Sequence, residues 1–370
     1  MNSKTLVQNI LIAIPIMLMG LGTLMIYSSS SIFAAQKYSD NAFFLKKQIV
    51  FAVCGIISMF AVKKIRYTYY KKLAYPLWVF SMVLLVLVLM PGIGTKVGGA
   101  VRWLRFGPLS FQPAELGKLA AIIILSFSLA KKDAEKIQTF SIGVLPHLIF
   151  IVPMCTLIVL QPDFGTAMIL FVFLLIMLFI GGIQAWQLLM LGAVCTGTGA
   201  ALIFSSGYRI ERLLSFLNPW KDATGAGFQI VQSFLAFGYG GFWGMGLGNG
   251  TQKLFYLPEP HTDFILAVIG EEFGFVGVIC VVILFLMFVI CGLKIAINAS
   301  DAFGSYMAMG IVTLIGLQSI INMGVVMGLL PTKGIPLPFV SYGGTSLMIN
   351  LIAVGILLSI CSQSNFKINK

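Results

Sequence analysis

The feature that most constrains this chain is a series of long apolar runs separated by short polar connections. A helix needs about 20 predominantly apolar residues to cross the hydrocarbon core of a bilayer. The sequence supplies ten such runs, at residues 10–32, 48–63, 74–91, 114–130, 143–160, 164–181, 186–205, 264–293, 305–329 and 343–362. We therefore predict an all-α polytopic membrane protein, formed as a single integral membrane domain over residues 1–370.

The composition excludes the soluble classes of protein. Hydrophobic residues make up 59% of the chain and charged residues only 10%, which ordinary soluble domains do not show. The net charge of +12 does not indicate nucleic-acid binding, because the basic residues fall in short loops. The six cysteines lie in apolar runs without C-x-x-C spacing, so neither a disulfide framework nor a zinc site is predicted.

The distribution of Lys and Arg predicts the orientation in the membrane. Short basic clusters at 63–72 and 131–136 are typical of cytoplasmic loops. Ten spans then place both termini in the cytoplasm and three longer loops, 92–113, 206–262 and 330–342, outside. Basic residues are equally numerous in the outer segments, but there they are scattered. The largest extracytoplasmic loop, 206–262 between spans seven and eight, is rich in Phe, Leu and Trp and is expected to pack on the membrane surface or to dip into it.

Three polar residues, Glu259, His261 and Asp263, crowd the end of this loop immediately before span eight. Acidic groups at a membrane surface are costly and usually functional. Asp263 is the leading candidate for the chemistry, since a carboxylate can accept a proton from a hydroxyl or help to hold a divalent cation. The structural alternative is an N-cap, in which Thr262 or Asp263 satisfies N–H groups at the start of the helix. An N-cap explains one polar residue here but not three.

A second candidate is the pair Glu115 and Lys118, three residues apart at the start of span four. On a helix this spacing puts both side chains on one face. Lys118 is then either available to phosphate oxygens on a substrate-facing wall or held in an ion pair that fixes helix packing. The sequence favours neither alternative.

Cations on the outer loops form a third group, because several of them could converge on a phosphate, which Arg grips with two hydrogen bonds. They are Arg102, Arg105, Arg209, Arg212 and Lys333. For any single one, the alternative is snorkelling toward lipid headgroups. The glycine run at 238–250 is either a phosphate-binding loop or, as its context favours, a re-entrant surface turn. Glu271 and Glu272 lie inside span eight, a position at which transporters also carry carboxylates.

The motifs together resemble the shape, elongation, division and sporulation (SEDS) family of bacterial membrane proteins. The matching stretches keep their order along the chain, at 99–104, 112–118, 161–166, 209–213, 216–219, 227–233, 257–263, 270–272 and 337–344. The stretches 258–272 and 331–334 are most similar to the cell-division branch of the family, with the elongation branch as the close alternative. Ala114 and Thr345 depart from the family pattern, which often has serine at both positions.

The resemblance implies a peptidoglycan glycosyltransferase that polymerises lipid II into glycan strands. It places the family's essential acidic residue at Asp263 and its Glu–Lys motif at Glu115 and Lys118. It also implies a divalent cation, Mg²⁺ or Mn²⁺, with Asp263 as the candidate ligand. The implied partners are a transpeptidase, namely a class B penicillin-binding protein, and other membrane proteins of the division machinery. The expected location is the bacterial cytoplasmic membrane at the division septum.

The predicted mechanism is inverting glycosyl transfer at the outer face of the membrane, in which Asp263 takes the proton of the acceptor's 4-hydroxyl. Four cations are expected to neutralise the departing lipid diphosphate, namely Arg102, Lys118, Arg212 and Lys333. Glu115 is expected to orient Lys118, while Trp103, Gln229 and His261 shape the cavity. Two alternatives from other classes are a flippase for the lipid-linked precursor and a non-catalytic division scaffold in which Asp263 only caps a helix.

Overall fold

The computed structural model describes residues 3–97, 100–107, 109–133, 135–204, 207–225, 227–250, 261–364 and 366. Twelve α-helices account for most of these residues. They are α1 (Ser3–Tyr38), α2 (Phe43–Lys64), α3 (Tyr70–Leu89), α4 (Pro113–Ala130), α5 (Leu145–Leu160), α6 (Phe164–Ile180), α7 (Ala185–Phe204), α8 (Gly207–Leu217), α9 (Phe228–Gly240), α10 (Ile265–Ile297), α11 (Ala302–Val326) and α12 (Gly344–Gln363).

The ten predicted spans coincide with α1 to α7 and α10 to α12. Within the described part of the chain, nine helices are long and apolar enough to cross a membrane. The tenth, α6, is apolar throughout and has 17 residues, which is at the lower end of the range for a span. The predicted all-α polytopic membrane fold is confirmed.

The connections between the helices lie at two opposite ends of the bundle, and contacts among them show which connections share an end. At one end of the bundle, the Lys4 ammonium donates to the Ser362 carbonyl at 2.7 Å, and Lys71 pairs with Asp301 at 2.7 Å. At the other end, Arg102 contacts the α5–α6 connection, and Asp263 lies against the α11–α12 connection. Both termini of the described chain therefore lie at the end opposite Asp263.

The centre of the bundle is formed by α4, α11 and α12, whose apolar stretches are 78%, 78% and 83% buried. By contrast, the corresponding stretch of α7 is 11% buried, so this helix lies at the periphery. Several polar side chains on these helices are buried, among them Lys118, Gln318 and Asn322. Each of them needs a partner inside the protein, because an unpaired buried polar group is costly.

The outer connection between α3 and α4 folds into a small antiparallel sheet of β1 (Gly94–Val97), β2 (Ala100–Phe106) and β3 (Leu109–Phe111). Thr345 fastens this sheet to α12, since its hydroxyl donates to the Ser110 carbonyl at 3.1 Å. These strands were not predicted from the sequence. They are short, and β1 (Gly-Thr-Lys-Val) lacks the alternation of apolar and polar residues by which strands are recognised.

The glycine run packs into a break in α10. Gly274 has φ 65°, which interrupts the helix, and the loop after α9 fills the gap: the amides of Met245 and Gly246 donate to the carbonyls of Glu271 and Glu272 at 2.9 and 3.0 Å. A Cβ on Gly244 would come within 2.3 Å of the Glu272 carbonyl oxygen. These backbone groups are thus used within the protein, which favours the re-entrant turn over the phosphate-binding loop.

Candidate active site

Asp263 lies at the mouth of α10, beside the loop that joins α11 to α12. A Cβ built on Gly334 would come within 2.9 Å of the Asp263 Oδ2 atom, so the carboxylate rests directly on this loop. The Asp263 carbonyl accepts a hydrogen bond from the Asn322 amide at 2.8 Å. The N-cap of α10 is Phe264, one residue beyond Asp263. The start of the helix therefore does not match the alternative in which Asp263 serves only as the cap.

Charged side chains lie along loop residues 332–334, beside Asp263. The Arg212 guanidinium donates to the Thr332 carbonyl at 3.3 Å and so ties α8 to the loop. Lys333 extends over the start of α6, where its ammonium lies 4.7 Å from the Phe164 ring centroid. Burial lowers the pKa of Lys333 to about 8, although the nearby Asp163 carboxylate opposes the shift. The Asp263 carboxylate and the Arg212 guanidinium thus contact a loop segment whose middle residue, Lys333, extends its ammonium toward α6.

Arg102 belongs to the same end of the molecule, where it holds the α5–α6 connection. Its Nε donates to the Gln161 carbonyl at 3.3 Å, and a second guanidinium nitrogen donates to the Pro162 carbonyl. The guanidinium also lies 3.8 Å from the Asp163 carboxylate. Since Asp163 acts electrostatically on Lys333 as well, it links Arg102 and Lys333 in one charged cluster.

Glu115 and Lys118 form a buried ion pair on α4, with Nζ and Oε1 2.9 Å apart. Both residues are buried, at 3% and 4% exposure. The Lys118 ammonium also donates to the Gln318 side chain of α11 at 2.9 Å. Among the residues that the structure describes, the Glu115 Oε2 atom has no hydrogen-bond partner. Of the two alternatives for this pair, the geometry favours the ion pair that fixes helix packing, while a direct contact of Lys118 with phosphate stays a prediction.

His261 is enclosed by aromatic rings rather than exposed to the site. Its ring centroid lies 4.4 Å from that of Phe44 and 5.6 Å from that of Tyr342. The His261 carbonyl accepts a hydrogen bond from the Tyr342 amide at 2.9 Å. Because burial lowers the pKa of His261 to about 4, the imidazole is neutral at physiological pH and supports the α10 mouth by packing.

The family follows from comparison with known proteins. The model of the cell cycle protein family that comprises FtsW, RodA and SpoVE matches residues 8–366. The chain belongs to this family. A relative from Geobacter sp. (strain M18), named "Probable peptidoglycan glycosyltransferase FtsW", is 45% identical over 354 residues and 96% of both chains. Stage V sporulation protein E of Bacillus subtilis (strain 168) is 42% identical over 365 residues, 99% of this chain and 100% of the relative.

Solved structures of the FtsW, RodA and SpoVE family share the fold. The crystal structure of the rod shape determining protein RodA from Thermus thermophilus has a TM-score of 0.69 at 26% identity, over 96% of this chain and 97% of that chain. A chain of a peptidoglycan synthase complex has a TM-score of 0.78 at 29% identity, over 95% and 96%. The comparisons confirm the predicted family, its cell-division branch and the peptidoglycan glycosyltransferase class.

In this FtsW-like chain, two predicted site residues, Trp103 and Gln229, belong to elements at the outer end of the bundle. Trp103 follows Arg102 in β2, so the two side chains point to opposite faces of the strand. Gln229 is half-buried near the start of α9. Glu259 and the side chain of Arg209 lie outside what the structure describes. For Trp103 and Gln229, a role in shaping the cavity stays a prediction.

Two residues that were not predicted from the sequence connect the parts of the site. Gln318 and Asn322 lie one turn apart on α11, and each is 1% exposed. Gln318 joins Lys118 to the Pro336 carbonyl, while Asn322 joins the carbonyls of Asp263 and Ile335. Their signal was present in the sequence, since two amides at spacing four inside an apolar span are unusual polar groups in a membrane.

Proposed function

We propose that this chain polymerises lipid II as a peptidoglycan glycosyltransferase and that Asp263 is its general base. The observation that carries the proposal is that Asp263 lies against Gly334 and Arg212 donates to the Thr332 carbonyl, on either side of Lys333 in the α11–α12 connection. Proton removal from an acceptor hydroxyl requires a base such as a carboxylate, and departure of a lipid diphosphate is assisted by cations close by. Both requirements are met at one mouth of the helical bundle, where an amphiphilic substrate can keep its lipid in the bilayer.

The proposed step is a single displacement. Asp263 accepts the proton of the acceptor sugar's 4-hydroxyl, and that oxygen forms a bond to the anomeric carbon of the donor. The bond between this carbon and the diphosphate oxygen breaks, and the lipid diphosphate leaves with inversion at the carbon. Lys333, Arg212 and Arg102 neutralise the charge that develops on the leaving group. Electrostatic stabilisation of this kind usually lowers the activation barrier more than any other single effect in an enzyme.

A divalent cation fits this site only with the help of the substrate. The described residues contain no group of three His, Cys, Asp or Glu side chains that could hold a metal ion. Mg²⁺ is often bound by one or two carboxylates together with substrate phosphates, and Asp263 would supply the carboxylate. The ion would add positive charge at the departing diphosphate, and the steps assigned to the protein residues stand without it.

We also infer the setting in which the enzyme works. The relative of known structure that belongs to a peptidoglycan synthase complex supports a partner protein, and we propose a class B penicillin-binding protein for that role, with other division proteins nearby. The basic clusters at 63–72 and 131–136 support cytoplasmic termini and an active site at the outer face. The similarity to FtsW supports a location at the septum.

The proposal is tested by replacing Asp263 with Asn in purified protein supplied with its transpeptidase partner and labelled lipid II. Loss of a general base is expected to lower the rate of glycan formation at least about 100-fold. Asp40→Asn is the matched control, since Asp40 is an outer-loop carboxylate in an exposed ion pair with Lys46. Polymer formation by Asp263→Asn at the normal rate would remove Asp263 from the mechanism. Movement of lipid II across vesicles without polymer would favour the flippase instead.

A further inference from the structure

We propose that Asn322 and Gln318 are positioning residues that hold Asp263 and the cation-bearing loop in register for the reaction. The inference rests on the proposed role of Asp263. It assigns a task to two buried amides of α11, each 1% exposed. Their task is to fix the distance between the base and the loop that carries Lys333.

Asn322 bridges two segments that are far apart in the chain. Its amide nitrogen donates to the Asp263 carbonyl at 2.8 Å and to the Ile335 carbonyl at 2.6 Å. The orientation of the amide is determined by these contacts, because a flipped group would turn its oxygen toward two carbonyl oxygens. Its Oδ1 atom has no hydrogen-bond partner in the described part of the chain. The side chain therefore acts through its two N–H groups, one on each segment.

Gln318 repeats this arrangement one turn earlier on the same face of α11. Its nitrogen donates to the Pro336 carbonyl at 3.0 Å, and its oxygen accepts from the Lys118 ammonium at 2.9 Å. Lys118 is fixed in turn by Glu115 at 2.9 Å. Two successive carbonyls of the loop, at 335 and 336, are thus anchored to α11, and the buried ion pair of α4 holds the second anchor in place.

The alternative is that both amides merely join helices, as buried polar side chains often do in membrane proteins. The acceptors argue against it. Asn322 donates to no helix backbone in the described structure; its acceptors belong to the residue proposed as the base and to the loop beside that residue. Ser319, on the same helix turn, behaves differently, since its hydroxyl donates to the Ile315 carbonyl of its own helix.

The experiment compares Asn322→Leu with Ser319→Ala in the full chain, assayed with the partner and lipid II per unit of folded protein. Asn322→Leu keeps the branched shape but removes both donors, so kcat is expected to fall about 10- to 100-fold with little change in KM, because a small misplacement of the base lowers the rate without weakening substrate binding. Ser319→Ala is expected to keep kcat within about twofold. Asn322→Asp has nearly the same shape but at most one donor, so it cannot bond both carbonyls; it should also lower kcat and serves if the leucine variant does not fold.

A double variant tests whether the two amides act on one structure. Gln318→Leu alone is expected to lower kcat, and Gln318→Leu combined with Asn322→Leu should lower it by less than the product of the single effects, since both anchor the same loop. Normal kcat in folded Asn322→Leu and Asn322→Asp would overturn the inference, as would a loss confined to thermal stability. If Asp263→Asn is inactive while both Asn322 variants are normal, the positioning role fails and the proposed function stands. Activity of Asp263→Asn would instead overturn the proposed function.

Discussion

The lowered pKa of Lys333 is expected to make the reaction rate depend on pH in the mildly alkaline range. The ammonium is buried against Phe164 and Met168, and burial lowers its pKa to about 8. Below pH 8 the side chain is charged and can neutralise the leaving diphosphate. Above pH 8 it is neutral, so this contribution to the rate is lost. The effect on stability has the opposite sign. Below pH 8 the buried charge lowers the free energy of unfolding, and this loss is relieved as the pH rises from 8 toward the higher pKa that Lys333 has in the unfolded chain.

We therefore expect kcat/KM for lipid II to fall as the pH rises through about 8, since this parameter reports ionisations of the free enzyme. Lys333→Arg should extend activity to higher pH, because a guanidinium stays charged throughout the accessible range. Lys96→Arg, at an exposed position of β1 at the same end of the molecule, is the control and should leave the profile unchanged. A profile that is identical in wild type and Lys333→Arg would show that Lys333 does not titrate in the working range.

The buried pair Glu115 and Lys118 is expected to behave differently from an exposed pair of the same spacing. Lys118→Met would leave Glu115 buried without its partner, and breaking a buried ion pair costs about 3–5 kcal/mol. Lys136→Met, which breaks the exposed i, i+3 pair with Asp133, should cost no more than about 1 kcal/mol. Thermal unfolding in detergent measures both. Equal effects of the two substitutions would contradict the structural role of the buried pair.

A second comparison separates stability from catalysis at the same pair. Glu115→Gln combined with Lys118→Met removes both charges and is expected to recover much of the lost stability. Activity should stay low in the double variant, because Gln318 then loses the ammonium that holds it. If the double variant recovers both stability and activity, Glu115 and Lys118 contribute to helix packing and not to the positioning of Gln318.

The break in α10 and the glycine loop inserted into it form one unit. Gly244 and Gly248 both have φ 84°, so alanine at either position is strained by about 1–2 kcal/mol. Of these two, Gly244 packs against the break, where a Cβ would meet the Glu272 carbonyl at 2.3 Å; at Gly248 a Cβ meets no atom of the described residues within 4 Å. Gly244→Ala is therefore expected to cost about 1–3 kcal/mol more than Gly248→Ala. Thermal unfolding together with hydrogen exchange of residues 241–246 checks this difference; equal costs would show that the loop does not depend on close packing.

The elements differ in how far the sequence predicts them. Spans follow from hydropathy alone, because a bilayer demands that each crossing satisfy its own backbone. The break at Gly274 could not be predicted in this way, since a single glycine in an apolar run is compatible with a continuous helix and only the loop 241–246 provides partners for the opened backbone. The contact of Arg102 with the α5–α6 connection is likewise tertiary. The position of Asp263 before an apolar span was enough to predict it as a site residue. The role of Asn322 follows only from the structure, because it depends on the two carbonyls to which its amide donates.

At the scale of the whole molecule, the number of membrane crossings between two loops predicts whether they face the same side of the membrane. Asp40 lies in the α1–α2 connection and Lys136 in the α4–α5 connection, and both side chains reach solvent. Ten crossings place these residues on opposite sides, with Asp40 on the side of Asp263. The positive-inside rule then predicts that Lys136, within its basic cluster, lies in the cytoplasm.

Asp40→Cys should accordingly react with a membrane-impermeant maleimide in intact cells, and Lys136→Cys only after the membrane is permeabilised. Cys54 and Cys280, the exposed native cysteines, would be replaced by serine in both variants to remove the background. The reverse labelling pattern would place Asp263 in the cytoplasm. Glycan strands are assembled where the lipid-linked sugar has already crossed the bilayer. That result would therefore overturn the outer-face mechanism, although the contacts of Asp263 and Arg212 with residues 332–334 would stand.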